Sequence, residues 1–330
     1  MKKMIILILA AVMLCGLCAC GGGGTDEAVS GGSAPSGAPD IVCTVFPLYD
    51  WVRNIMGDGF KDADVTLLLD SGTDLHSFQP TADDMITVSR SDLFIYVGGE
   101  SDAWVPDVLS SSGAQCRPLS LMDSLKANVL EEETVEGMQA EEEEEAEDGP
   151  AYDEHIWLSL RNASAACDAI CAALSEVYPD NASVYRANTD AYKAKLDALD
   201  AEFTQFAGSL PAGKVALFAD RFPFRYFTED YGIDYYAAFV GCSAETEASF
   251  ETVSFLAGKI DEYGLKYVFD IEGSTNGLAQ TVINNSAGKN AAVLTLDSMQ
   301  SVTSSDVAAG ADYLEIMRAN CDKFREALGS

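Results

Sequence analysis

The chain has 330 residues, about two domains' worth, and is 48% hydrophobic and 22% charged, a balance too apolar for a disordered protein. Lys and Arg number 20 against 53 Asp and Glu, a formal net charge of −33. So acidic a chain repels nucleic acid and anionic lipid and attracts cations. Its only histidines are His76 and His155.

In chain order, the first segment reads as a processing signal. Lys2 and Lys3 precede an almost unbroken apolar run over 4–13, too short for a comfortable membrane span and suited to a signal peptide. Leu17-Cys18-Ala19-Cys20 resembles the lipobox of bacterial lipoproteins, which makes Cys20 the expected lipidation site and 1–20 the signal. Such a protein is held by its lipid on the outer face of the bacterial cytoplasmic membrane. Residues 21–40, rich in Gly, Ser, Ala and Pro, read as a flexible tether.

Beyond the tether, strand-like runs fall at 41–46, 64–70, 93–97, 215–220, 235–240, 267–272 and 291–297. Helical patterns fall between them, for example at 50–56, 82–89, 163–177, 250–263 and 306–328. This alternation predicts an α/β protein with mostly parallel sheets. Residues 131–148 hold ten Glu and one Asp and read as a mobile loop inside the first half, either a solubilising insertion or a collector of cations. Tyr185, Tyr192, Leu196, Leu199, Phe203 and Phe206 form an apolar stripe at helical spacing. Pro179-Asp180-Asn181 starts this helix and Gly208 with Pro211 stops it, giving a rod about 40 Å long between two α/β halves. The expected organisation is a first lobe at 41–178, a rigid linking helix at 179–211 and a second lobe at 212–330.

Six cysteines remain after the signal region: Cys43, Cys116, Cys167, Cys171, Cys242 and Cys321. They permit disulfides in an exported protein, with 15 possible pairings. Cys167 and Cys171 share a helix face and read as core packing, since no partner ligand lies near.

Ligands of open parallel sheets bind beyond the carboxyl ends of the strands. There the chain places His76, in Gly72-Thr73-Asp74-Leu75-His76-Ser77-Phe78-Gln79-Pro80, and the carboxylates Asp220, Glu272 and Asp297. His155 follows the acidic stretch in Asp153-Glu154-His155-Ile156-Trp157-Leu158. Two imidazoles with carboxylates make a suitable shell for Zn²⁺ or Mn²⁺.

These segments, with Val45-Phe46-Pro47-Leu48-Tyr49-Asp50, Ser91-Asp92-Leu93-Phe94-Ile95-Tyr96-Val97-Gly98-Gly99, Phe224-Arg225-Tyr226-Phe227 and Thr295-Leu296-Asp297-Ser298, resemble the metal-binding lipoproteins of zinc and manganese ABC importers. The resemblance covers nearly all of the chain from Ile41. It implies two lobes bridged by a long helix with the metal between them, and a monomer serving a permease and its ATPase. Carried over, His76, His155 and Asp297 match metal ligands. The remaining ligand, usually His or Glu, aligns with Arg221, which cannot ligate because it stays protonated. Asp220, one residue earlier, is the substitute, unless Arg221 pairs with it; Glu272 is the reserve. The acidic insert before His155 resembles the loop of zinc-type members and favours zinc, whereas two imidazoles with two carboxylates resemble a manganese shell.

Two other classes carry the same metal chemistry. A metal-dependent hydrolase would need a base, Glu272 or Glu245, but no H-E-x-x-H or G-x-S-x-G motif occurs. An adhesin stabilised by its metal would unfold under chelator.

Overall fold

The computed structural model describes residues 38–111, 116–139, 151–243, 247–275 and 277–330. The expected signal and tether up to residue 37, with Cys20, lie outside them, as do 140–150 of the acidic stretch and Glu245.

Strand β1 (Asp40–Cys43) passes directly into helix α1 (Phe46–Met56). Pro47 sits in the first turn of α1, where its fixed φ and missing N–H suit a helix start, and this cuts short the apolar run at 41–46. Strand β2 (Asp64–Leu67) leads to α2 (Ala82–Arg90), whose start is fixed by a reciprocal capping box between Thr81 and Asp84. Then come β3 (Leu93–Tyr96), α3 (Val105–Ser110), β4 (Arg117–Ser120), α4 (Leu121–Ser124) and α5 (Leu160–Val177). The first sheet has the order β2-β1-β3-β4, all parallel. Sequence reading missed β4, a four-residue edge strand that contains Pro118 and buries only Leu119. An edge tolerates proline because one side of the strand has no ladder to complete.

Helix α6 (Ala182–Ala207) is the predicted long rod, 26 residues in one run. Its buried stripe is Tyr185, Thr189, Tyr192, Leu196, Leu199 and Phe203. Thr189 fills the seven-residue gap in the apolar pattern, and its hydroxyl donates to the Tyr185 carbonyl at 2.8 Å. The second half follows with β5 (Val215–Phe222), α7 (Arg225–Tyr231), β6 (Asp234–Val240), α8 (Phe250–Tyr263), β7 (Tyr267–Ile271), α9 (Leu278–Asn285), β8 (Ala292–Leu296), α10 (Ser304–Ala308) and α11 (Tyr313–Leu328). Its sheet, again parallel, has the order β6-β5-β7-β8. The helix expected over 306–328 is broken in two. Gly310 has φ 98, and Asp312 caps the start of α11 by accepting the Glu315 N–H.

Helix α6 packs against α1 and α5 on one side and α7 and α11 on the other. One hydrophobic cluster therefore runs through both halves, from Ile41 and Trp51 to Phe218 and Phe324. A smaller cluster around Leu217, Leu256, Val268 and Val282 fills the space under α8 and α9. The carboxyl ends of the two sheets meet. Ser71 bridges Thr303, the Ser304 N–H donates to the Asp70 carbonyl at 2.8 Å, and Trp157 Nε1 donates to the Ser298 carbonyl at 2.9 Å.

The acidic stretch departs from expectation where it is described. Residues 131–139 do not form a free loop of the first half. The Gln139 N–H donates to the Ala238 carbonyl on edge strand β6, Arg225 Nη1 pairs with Glu133 at 2.6 Å, and Met138 is buried. The apolar residues Val135 and Met138 among the glutamates supply the anchor. All six cysteines are unpaired, and Cys167 and Cys171 lie in the core. Among the described residues no helix is long and apolar enough to cross a membrane.

Candidate metal centre

His76 stands beyond the carboxyl end of β2, in a single 3-10 turn over Leu75–Ser77. The Asp74 side chain caps that turn by accepting the His76 N–H at 3.0 Å. His155 precedes a second such turn, Ile156–Leu158. Asp153 Oδ1 accepts its backbone N–H at 2.8 Å and faces Nδ1 at 2.9 Å. A carboxylate only accepts, so Nδ1 carries the proton and Nε2 presents a lone pair. His76 Nδ1 lies 2.9 Å from Ser101 Oγ and 3.6 Å from Glu154 Oε2, which again leaves Nε2 outward. The two Nε2 atoms are 3.2 Å apart. Two nitrogens held about 2.0–2.1 Å from a tetrahedral zinc ion would be about 3.3–3.4 Å apart, so the pair already has the spacing of two ligands on one ion.

Burial and the neighbouring His155 lower the His76 pKa to about 3, with Arg221 adding to the effect. Burial opposes charge on His155 too, but Asp153 and Glu154 outweigh it and its pKa is raised above 6.5. The pair therefore takes up one proton, on His155, long before a second.

Cys242 completes a group of three. One nitrogen of each imidazole and Cys242 Sγ lie within 4.8 Å of one another, the one such cluster of His, Cys, Asp or Glu among the described residues. Sequence reading did not select Cys242. It sits two residues beyond β6, so the strand-end rule that reached Asp220 would have reached it as well. Gly241 lets this loop close on the histidine, since a Cβ there would come within 3.0 Å of His155 Nδ1 and 2.9 Å of the Phe222 carbonyl. Gly99, at φ 88, does the same for Glu154: a Cβ would come within 2.3 Å of Glu154 Oε1. Burial pushes the Cys242 thiol well up.

None of the described second-half carboxylates joins that group: Asp220 and Glu272 share a cavity with His76, whereas Asp297 lines neither cavity at the pair. A cavity of about 430 Å³ is lined by Asp74, His76, Asp220, Arg221, Glu272 and Ser298, among others. Asp220 Oδ1 accepts the Arg221 N–H at 2.8 Å. The Arg221 guanidinium reaches to Asp74, with Nη2 2.7 Å from Oδ2, a contact between the two halves in place of the alternative in which it pairs with the Asp220 carboxylate. Glu272 accepts the Ser298 N–H at 2.7 Å and its hydroxyl at 2.6 Å; burial and Asp297 push its pKa up to about 7. Asp297 Oδ1 accepts the Met299 N–H at 2.8 Å, and burial raises its pKa. A second cavity of about 190 Å³, reached by the other flank of His76, is lined by Glu100, Ser101, Glu132, Glu154 and Cys242.

The sequence profile of a family described as the periplasmic zinc-uptake complex component A matches residues 41–327. The chain is 28% identical over 296 residues to a protein of Streptococcus pyogenes named zinc-binding protein AdcA, covering 88% of this chain and 56% of that one. It thus spans little more than half the length of the first curated relatives it matches. It is 27% identical over 325 residues to the high-affinity zinc uptake system protein ZnuA of Bacillus subtilis, covering 98% and 97% of the two chains. Among solved structures it is similar to the Zn(II)-bound ZnuA-like domain of Streptococcus pneumoniae AdcA, at a TM-score of 0.69 and 25% identity, covering 89% of this chain and 100% of that one.

Proposed function

The chain belongs to the periplasmic zinc-uptake complex component A family, and we propose that it is the extracytoplasmic receptor of an ABC importer, capturing a divalent transition metal between two lobes and delivering it to a permease. Zinc is the favoured cargo over manganese. Residues 41–178 and 212–330 are the lobes and 179–211 the rigid link. The protein acts as a monomer, tethered through a lipid on Cys20, and the permease works with an ATPase. The carrying observation is the pair of Nε2 atoms 3.2 Å apart, each on a ring whose other nitrogen is engaged. A hydrogen bond to Nδ1 fixes the tautomer and the ring orientation that a metal ligand needs.

His76 and His155 capture the ion, and Asp220 and Asp297 close on it from the second lobe, with Glu272 in reserve. Both imidazoles are used as ligands, which leaves no histidine for acid–base catalysis. Docking on the permease releases the ion by drawing the lobes apart and spoiling the coordination geometry.

The test is calorimetric titration of chelator-stripped protein with Zn²⁺ and Mn²⁺ separately. The expected result is one tight site, tighter for zinc and lost in His76→Ala, on a protein that stays folded without metal. No tight site for either ion would overturn the reading. Unfolding under chelator would instead mark a structural site.

A further inference from the structure

The two flanks of the histidine pair differ in charge and in donor type. On one flank stands Arg221, a permanent cation that lines the same cavity as His76, Asp220 and Glu272 and is bound to Asp74. It opposes a dication there. On the other flank the second cavity holds Glu132, Glu154 and Cys242, with no Lys or Arg among the described residues that line it. Glu154 Oε2 is buried and accepts no hydrogen bond, with His76 Nδ1 at 3.6 Å. Glu132 Oε1 accepts the Cys242 N–H at 3.2 Å, which fixes the loop that carries the thiol. Cys242 Sγ converges with both imidazoles, whereas Asp220, Glu272 and Asp297 do not.

We propose that Cys242 is the third protein ligand of the captured ion, as a thiolate, completing an N₂S set with His76 and His155. The inference rests on the receptor reading and revises its donor set: Cys242 takes the place given above to Asp220, whose cavity Arg221 shares. On binding, the S–H bond breaks heterolytically. The electron pair stays on sulfur and becomes the bond to the cation, and the proton leaves to water; no electron is transferred. A tetrahedral zinc ion with ordinary Zn–N and Zn–S lengths holds N and S about 3.6 Å apart, so the cluster contracts modestly when it binds. Thiolate is a soft donor, which favours zinc over manganese beyond what imidazole and carboxylate achieve. A thiol in this position also makes capture sensitive to alkylation or oxidation of Cys242.

The test is Co²⁺ bound to the purified full-length chain, read by absorption, alongside zinc calorimetry. The wild type is expected to show a sulfur-to-cobalt charge-transfer band in the near ultraviolet together with the visible bands of bound cobalt. Cys242→Ser is expected to lose the ultraviolet band and to bind zinc more than about a hundredfold more weakly, beyond the roughly 10–100-fold that loss of an outer partner costs. Its metal-free circular dichroism and melting temperature should equal those of the wild type, and Cys242→His should recover most of the affinity. Cobalt bound without the ultraviolet band, or unchanged zinc affinity in Cys242→Ser, overturns the thiolate and leaves the receptor standing. A wild type that binds neither zinc nor cobalt overturns the receptor and this inference with it.

Discussion

The first half of the molecule offers two imidazoles ready-made, whereas the second half brings one thiol to them, on Cys242, and holds its carboxylates apart. Asp74, two residues before His76, caps its turn while Ser101 holds its ring, and Asp153, two residues before His155, holds both backbone and ring. Asp220, Glu272 and Asp297 spend oxygens on backbone N–H groups at the strand ends, and Arg221 shares a cavity with the first two. The contrast assigns capture to the first half and closure to the second. The largest expected effect follows. His155→Ala should weaken zinc binding by more than about a hundredfold, and Asp297→Ala by about tenfold, a smaller loss than that of an inner imidazole. Equal losses by calorimetry would break the comparison.

Acid should dissect the pair. Protons and metal compete for the same lone pairs, so affinity falls as pH falls. His155 has a pKa raised above 6.5 and takes up a proton below it, while His76 stays neutral to about 3. The histidines together should therefore cost one log unit of zinc affinity per pH unit between about pH 6 and 4, not two. Measuring this slope in Cys242→Ser removes the thiol proton from the count. A slope of two would put a second proton acceptor on the ion, Glu272 being the first candidate because its pKa is pushed up to about 7. The same His76 shift has a stability sign. Its folded pKa lies below its unfolded one, so its contribution is present above about 6.5 and is lost as pH falls towards 3. The raised pKa values of His155 and Glu272 act in the opposite sense, so it should be read as the melting-temperature difference between metal-free wild type and His76→Gln, which narrows in acid.

Much of this arrangement was legible in the sequence, and the parts that were not share a cause. Strands β1 to β3 and β5 to β8 announce themselves as apolar runs, and α6 as a stripe interrupted only where Thr189 turns inward. His76 follows one such run, whereas His155 follows the acidic stretch. Strand β4 and helices α7 and α9 are four to eight residues long and carry too little periodicity to detect. The strand-end rule reaches Cys242, but the rule alone does not separate a ligand from five other cysteines; its meaning comes from a loop closing over Gly241 onto a ring 87 positions earlier in the chain (242 minus 155). The docking of 131–139 onto β6 was hidden by the glutamates that dominate the segment; Val135 and Met138 were the usable signal. Arg221 and Asp74 are 147 residues apart, and only the meeting of the two sheets brings them together.

The orienting carboxylates rank next. Asp153→Asn keeps the shape but replaces an obligate acceptor by an amide, which can no longer hold His155 in one tautomer with a full charge. Zinc affinity should fall by about 10–100-fold while the metal-free fold persists, because Asp153 acts through the ring and not on the ion. Ser101→Ala should cost less than Asp153→Asn. It removes one neutral partner from His76 Nδ1 and leaves Glu154 Oε2 at 3.6 Å to take its place.

The smallest effect belongs to Arg221, and its sign discriminates. Arginine stays protonated and cannot ligate, so on the proposed reading Arg221→Gln removes nothing that touches the ion. It removes a positive charge from the cavity wall beside His76 and frees Asp74 from its ion pair. Asp74 remains the cap of the His76 turn, so the donor geometry survives. Zinc affinity should rise, by no more than about tenfold, because a charge at a partly exposed site acts through a high effective dielectric. The same change deletes a contact between the two halves whose partners are 21% and 23% exposed, worth less than about 1 kcal/mol. The melting temperature of metal-free protein should therefore move little. A fall in affinity on Arg221→Gln would mean that the Arg221–Asp74 pair holds the halves at the binding distance. The second half would then contribute to capture by position as well as through the thiol proposed for Cys242.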